Sequence, residues 1–250
     1  MIVLVLLPPS ETKSDGGTDA PLDLGELSMP QLTETRELLV QTLVDLAADP
    51  EESYRALGLG PTQADEIARN AKLWVSPTRP ALERYTGVLF DALDARAFTK
   101  AQRSKALARL GMGSALFGAV RAGDLIPAYR LSGGSKLPGL GTLRSVWKRE
   151  LTPALTADAA DGLVVDLRSG VYQDLGPVPG AVTATVLTER PDGTRTVVSH
   201  FNKHHKGLLA RALTISRAEP TDVRGVARVA AKAGLRVEVP SAEELVILTD

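Results

Sequence analysis

Ile2 to Leu7 reads IVLVLL, six consecutive aliphatic residues, and the run stops at Pro8 and Pro9. An apolar stretch this short suits a buried strand rather than a helix, so a sheet with a covered core is the first requirement on the fold. The stretch lacks the basic start and small-residue cleavage site of a secretory leader. No other segment approaches the roughly 20 apolar residues that a membrane span needs. A cytoplasmic protein without a membrane partner is therefore expected.

The remaining pattern mixes helices and strands. Pro30 to Ala48 carries apolar residues at three-four spacing with a proline near the first turn, which predicts an amphipathic helix. Shorter helices are predicted over Glu51–Leu57, Pro61 to about Trp74, Ala81–Leu93, Lys100–Leu110 and Leu143–Leu155, the last with Trp147 on its apolar face. Ser10–Gly25 and Pro127–Gly141 read as loops, and Gly111–Leu116 fits a strand or a turn. Strand composition follows at Gly162–Leu167, Ala181–Glu189 and Thr194–His200, the latter two joined by the hairpin signal Pro191-Asp192-Gly193. Helices over Lys206–Ser216 and Thr221–Ala233 and a strand at Leu235–Val239 complete the chain. With no long linker and no repeat, residues 1–250 are expected to form a single compact α+β domain. In it a mixed β-sheet is surrounded by helices, and strand 2–7 lies beside 162–167.

Composition excludes several chemistries. The 250 residues include no cysteine, which removes disulfides, thiolate metal sites and thiol peroxidase chemistry. Net charge is −1, but the charge is unevenly spread. Acids crowd 11–66, whereas 96–149 holds eleven Lys or Arg with Asp124 as its acid, and a second basic cluster runs from Lys203 to Arg217. A local basic surface is compatible with a neutral total. No Walker loop, dinucleotide fingerprint or Gly-x-Ser-x-Gly elbow is present, so no cofactor is expected.

Two stretches carry candidate chemistry. GLGPTQADEIA, from Gly58 to Ala68, fits the helix-hairpin-helix pattern through Gly58, Leu59, Gly60, Ala64 and Ile67. Glycines permit a close backbone turn, and a helix start with Pro at its first turn offers N–H groups to a phosphate. A plain helix C-cap followed by the next helix satisfies the same residues. NKHHKGLLAR, from Asn202 to Arg211, sets Lys203, Lys206 and Arg211 near a helix start, where lysines oppose the helix dipole and an anion would relieve them. Gly207 permits another backbone to approach. His200 and His204 stand four apart but straddle a strand-to-helix junction, so no metal site is expected. Asp166, Arg168 and Tyr172 follow an apolar strand, a common location for active-site groups, though an Asp there also serves as a turn cap.

Several blocks, in order, resemble the YaaA family of bacterial peroxide-stress proteins. They are LPPSETK (Leu7–Lys13), RYTGVLFDAL (Arg84–Leu93), SALFGAVRAGDLIPAYRL (Ser114–Leu131), LRSVWKREL, LVVDLRSGVY and VVSHFNKHHKGLLAR. The resemblance spans nearly the whole chain. It departs from the family pattern at Ser10-Glu11-Thr12-Lys13, at Ala122-Gly123 and at Asn202. It implies a single α+β domain with a helix-hairpin-helix element, here at about 51–74, and a basic cleft. It also implies DNA binding and protection against peroxide with lowered free iron. The cleft residues it implies are Lys13, Tyr129, Arg130, Lys203, Lys206 and Arg211.

Residues and resemblance together predict a monomeric, non-enzymatic stress protein that contacts the DNA backbone through Gly58, Gly60, Lys13, Arg130, Lys203, Lys206 and Arg211. The alternative is an enzyme acting on a nucleotide or damaged base, with Lys13, Tyr129, Arg130, Asp166 and His205 sharing one pocket.

Overall fold

The computed structural model describes residues 2–191, 193–197 and 202–249. Its frame is one mixed sheet of eight strands: β1 (Leu4–Leu7), β2 (Leu110–Ser114), β3 (Gly118–Arg121), β4 (Val164–Asp166), β5 (Val182–Glu189), β6 (Arg195–Val197), β7 (Arg236–Ser241) and β8 (Glu244–Thr249). Their order is β7-β8-β5-β4-β1-β2-β3, with β6 paired to β5. The five inner strands are parallel, and β7 and β3 run antiparallel at the edges. The aliphatic run IVLVLL thus supplies the central strand. Leu4, Val5 and Leu6 face Val164, Val165 and Asp166 of β4 in parallel register, as expected, and all four β1 residues are buried.

Helices cover this frame: α1 (Thr33–Leu46), α2 (Pro50–Leu57), α3 (Ala64–Asn70), α4 (Ala81–Arg84), α5 (Val88–Leu93), α6 (Lys100–Arg109), α7 (Leu143–Trp147), α8 (Leu151–Ala159), α9 (Gly170–Leu175), α10 (Asn202–Ile215) and α11 (Val223–Lys232). Among the described residues no helix is long and apolar enough to cross a membrane. Two predicted helices are each broken in two. Ala81–Leu93 divides at Tyr85–Gly87, because Tyr85 pairs by a β-bridge with Lys13 and Gly87 takes a positive φ of 96°. Leu143–Leu155 divides at Lys148–Glu150, while Trp147 is fully buried and donates its Nε1–H to the Ala115 carbonyl at 2.9 Å. Gly111–Leu116 resolves as strand β2. The hairpin expected at Pro191–Gly193 joins β5 to β6, with Asp192 and residues 198–201 outside the described residues. Strand β8 is an addition: the chain reverses at Ala242–Glu243, where Ser241 Oγ accepts from the Glu243 amide, and inserts ELVILT beside β5.

Buried arginines bind the irregular segments to this frame. Arg36 donates to the carbonyls of Phe117, Ala119 and Ser28, which fixes α1 against the β2–β3 turn. Arg84 holds the Ile126 carbonyl, and Arg109 holds those of Leu213 and Thr214. Each guanidinium satisfies loop and helix-end carbonyls that would otherwise be buried without donors.

Helix α10 lies directly on α5, and Gly207 is the reason it can. A Cβ there would sit 2.3 Å from the Leu89 carbonyl oxygen and 2.7 Å from Ala92 Cβ. The backbone that Gly207 admits is therefore the protein's own. Overpacking at such a contact typically costs about 1–3 kcal/mol. Gly207→Ala should lower stability by that order in urea unfolding. An unchanged midpoint would show that the two helices can move apart freely.

Candidate functional site

Pro8 and Pro9 end β1 because neither can donate to the ladder, so the chain leaves the sheet at that point. Next in sequence, the sheet gains β2 on one side of β1. From β4 it passes instead to β5 on the other side. Neighbouring strands that send their chains apart leave a crevice at their carboxyl ends, where ligands bind in open α/β sheets. A cavity of about 750 Å³ occupies this position, lined by Pro8, Glu11, Ser169, Tyr172, Lys203 and Lys206 among others. Burial and a hydrogen bond from the Gly133 amide fix Tyr172 there, and burial pushes its hydroxyl up to about 12, so it stays neutral.

Lys203 is exposed at the rim and Lys206 is partly buried, donating to the Leu167 carbonyl at 3.2 Å. Burial lowers the Lys206 pKa, opposed by the nearby Asp166 charge. Among the described residues no carboxylate forms an ion pair with either lysine. Asp166 is committed elsewhere. Its two oxygens accept from Arg168 Nε at 2.9 Å and Nη2 at 2.7 Å, while Arg168 also donates to the carbonyls of Tyr172 and Gly176. Both side chains are almost wholly buried. This ion pair braces the loop after β4. Asp166→Ala should destabilise the protein by about 3–5 kcal/mol, since a lone buried guanidinium remains, whereas removing both partners with Asp166→Ala and Arg168→Met should restore part of that loss. Thermal unfolding of the single and double variants measures this. An additive double variant would refute the pairing.

Beside the cavity lies a second arrangement. Lys13 is 8% exposed, with Nζ donating to the carbonyls of Ser10 at 3.0 Å and Glu11 at 3.5 Å. The same ammonium stands 4.0 Å from the centre of the Tyr129 ring and 5.4 Å from that of Tyr85, a cation–π seat. Tyr85 and Tyr129 share a 2.8 Å hydroxyl contact, Tyr129 meets Ser114 Oγ at 2.7 Å, and Ser114 accepts from the Phe117 amide. Burial raises the pKa of both tyrosines, which keeps this hydroxyl chain neutral and the rings fixed. Burial lowers Lys13 to about 7, with Glu11 and Glu66 opposing and Arg130 and Arg69 assisting. Arg130 closes the group from outside through a 3.1 Å ion pair with Glu11. Tyr85 and Ser114 were not singled out from the sequence, although both sit inside the family-like blocks.

The Lys13 shift has a definite sign. Below pH 7 folded and unfolded chains both carry the proton, and folding bears the full penalty of burying the charge. Between about 7 and the ordinary value of 10.5 the folded chain sheds it first, so stability rises with pH. Denaturant unfolding at pH 7 and 9 should show this rise in the wild type and a smaller one in Lys13→Met. Equal slopes would mean that the amine is not held in a desolvated place.

Other predicted residues lie elsewhere. Gly58 is the left-handed C-cap of α2, with φ 63°. Its amide and that of Leu59 donate to the Tyr54 carbonyl, and the Gly60 amide donates to Gln63 Oε1. The turn's amides are thus already used, and Arg55 and Arg69 pair with Glu52 and Glu66. What the turn offers is surface: Gly58 and Arg55 line a second cavity of about 660 Å³ with Lys136, and Ser132 and Gly134 border both cavities. Arg211 caps α5 through the carbonyls of Leu93 and Asp94 and lies over Phe98. His205 lines a separate cavity with Gly234 and Arg236. His200 lies outside the described residues. Among them no group of three or more His, Cys, Asp or Glu is placed to hold a metal ion.

Residues 3–238 match the family model described as peroxide stress protein YaaA. A UPF0246 protein of Corynebacterium efficiens is 52% identical over 241 residues, covering 95% of each chain. One from Streptomyces coelicolor is 46% identical over 221 residues, covering 87% of this chain and 85% of its own. Another, from Dinoroseobacter shibae, is 32% identical over 233 residues, covering 88% and 85%.

Proposed function

We propose, for a chain that belongs to the peroxide stress protein YaaA family, that it acts in the cytoplasm by holding the phosphate backbone of DNA in the groove made by the two adjoining cavities. The observation that carries this reading is their shared border. Ser132 and Gly134 line both, so the surface continues from Lys203 and Lys206 to Lys136, Arg55 and Gly58. Lys203, Lys206 and Lys136 have no carboxylate partner among the described residues, whereas most other basic side chains near the groove are paired. Unpaired cations along a concave track attract a polyanion without reading its bases. Gly58 contributes a flat, uncrowded edge, since nothing lies within 4 Å of where its Cβ would be.

On this reading protection against peroxide works at the DNA, and any fall in free iron is a downstream effect. Binding should tolerate sequence and weaken steeply with salt. Each phosphate contact contributes about −0.9 to the slope of log K against log salt. Duplex affinity measured by anisotropy from 50 to 200 mM salt should fall steeply for the wild type. Lys203→Ala and Lys206→Ala should each make the slope shallower by about one. A salt-independent affinity, or unchanged slopes in both variants, would overturn the proposal.

A further inference from the structure

One buried nucleophile has no part in holding phosphates. Among the described residues Lys13 is the one buried lysine, and around its Nζ stand two carbonyl oxygens and two aromatic faces. A lysine kept for structure would normally have a carboxylate in contact, because an unpaired buried ammonium is costly. Here the near carboxylate, Glu11, is turned to Arg130 instead. Burial favours the neutral amine, and Arg130 and Arg69 add to this against the opposing charges of Glu11 and Glu66. A desolvated amine beside cations is the arrangement that makes lysine nucleophilic toward carbonyl carbon. Next to it Arg130 Nε is buried without an acceptor among the described residues. That orphan donor calls for an anion, and an anion on Arg130 would compete with Glu11 for the guanidinium.

We propose that Lys13 captures an aldehyde borne by a phosphorylated sugar, with Arg130 receiving the neighbouring phosphate, and that the abasic sugar of a DNA strand lying in the groove is the form this site fits. The inference rests on the polyanion reading for its source of substrate. In the step itself the Nζ lone pair attacks the aldehyde carbon and the carbonyl electron pair moves to oxygen. The nitrogen then gives up two protons, the oxygen leaves as water, and an imine links Lys13 to the sugar carbon. No oxidant or reductant takes part, and water reverses the reaction. Tyr85, Tyr129 and Ser114 serve as positioning residues: their hydroxyl chain fixes the ring floor on which the amine rests.

The imine can be fixed by hydride. The full-length protein is mixed with a duplex carrying one abasic site, treated with sodium borohydride, and examined by denaturing gel and peptide mass mapping. The expected result is a covalent adduct mapped to Lys13, lost in both Lys13→Met and Lys13→Arg, each shown to be folded by thermal unfolding. Arg keeps the charge and cannot form the imine, so loss in both variants separates reactivity from charge. No adduct with a wild type that binds intact duplex would overturn the inference and leave DNA binding standing. Adducts on surface lysines that persist in the variants would overturn it equally. A parallel arm uses glyceraldehyde 3-phosphate as the aldehyde. Trapping at Lys13 there, by a protein that fails to bind intact duplex, would uphold the amine and its substrate chemistry while assigning a free sugar phosphate as its source and rejecting the DNA reading.

Discussion

The structure depends on β1 being hydrogen-bonded on both sides and ending at two prolines. A strand enclosed by β2 and β4 in parallel register has no freedom to slip, because a one-residue shift would break two ladders together. Pro8 and Pro9 then force the chain out at a fixed point, beside the residues that leave β4. The cavity, the Asp166–Arg168 brace and the Lys13 loop all gather there because backbone geometry requires exit at that edge.

Once the exit is fixed, charge decides the use of each group. Several basic side chains are consumed in construction: Arg36, Arg84 and Arg109 hold carbonyls, Arg168 holds Asp166, and Arg211 caps α5. Lys136, Lys203 and Lys206, without a carboxylate partner among the described residues, line the groove. A chain of net charge −1 can in this way present a cationic track without a cationic surface. Lys13 differs from all of them, because it is neither paired nor exposed.

Much of this was legible in the residues. The aliphatic run gave β1, the Pro-Asp-Gly signal gave the β5–β6 hairpin, and the three-four spacing gave α1. The basic start of α10 pointed to the groove, whose cavity Lys203 and Lys206 line. Other features depended on tertiary contacts that spacing does not encode. Strand β8 follows a turn that only Pro240 and Ser241 mark, the Ser241 hydroxyl accepting from the Glu243 amide. The Ala81–Leu93 helix breaks because Tyr85 bridges to Lys13, seventy-two positions earlier in the chain. Gly58 and Gly60 looked like exposed amides, yet a carbonyl one turn back and a glutamine side chain take those donors. The burial of Asp166 against Arg168 is invisible in a strand-end motif. Gly207 did mark a close backbone approach, but to α5 rather than to a ligand.

The central claim is that the groove running from Lys203 and Lys206 past Ser132 and Gly134 to Lys136 is where a polyanion lies. Amide hydrogen exchange with and without duplex DNA tests it directly. The account predicts slowed exchange at 132–136, at 168–173 and at 202–206, with no change around Gly234 and Leu235 on the separate His205 cavity. Protection confined to other surfaces, with those three segments unaffected in a protein that binds the duplex, would contradict it.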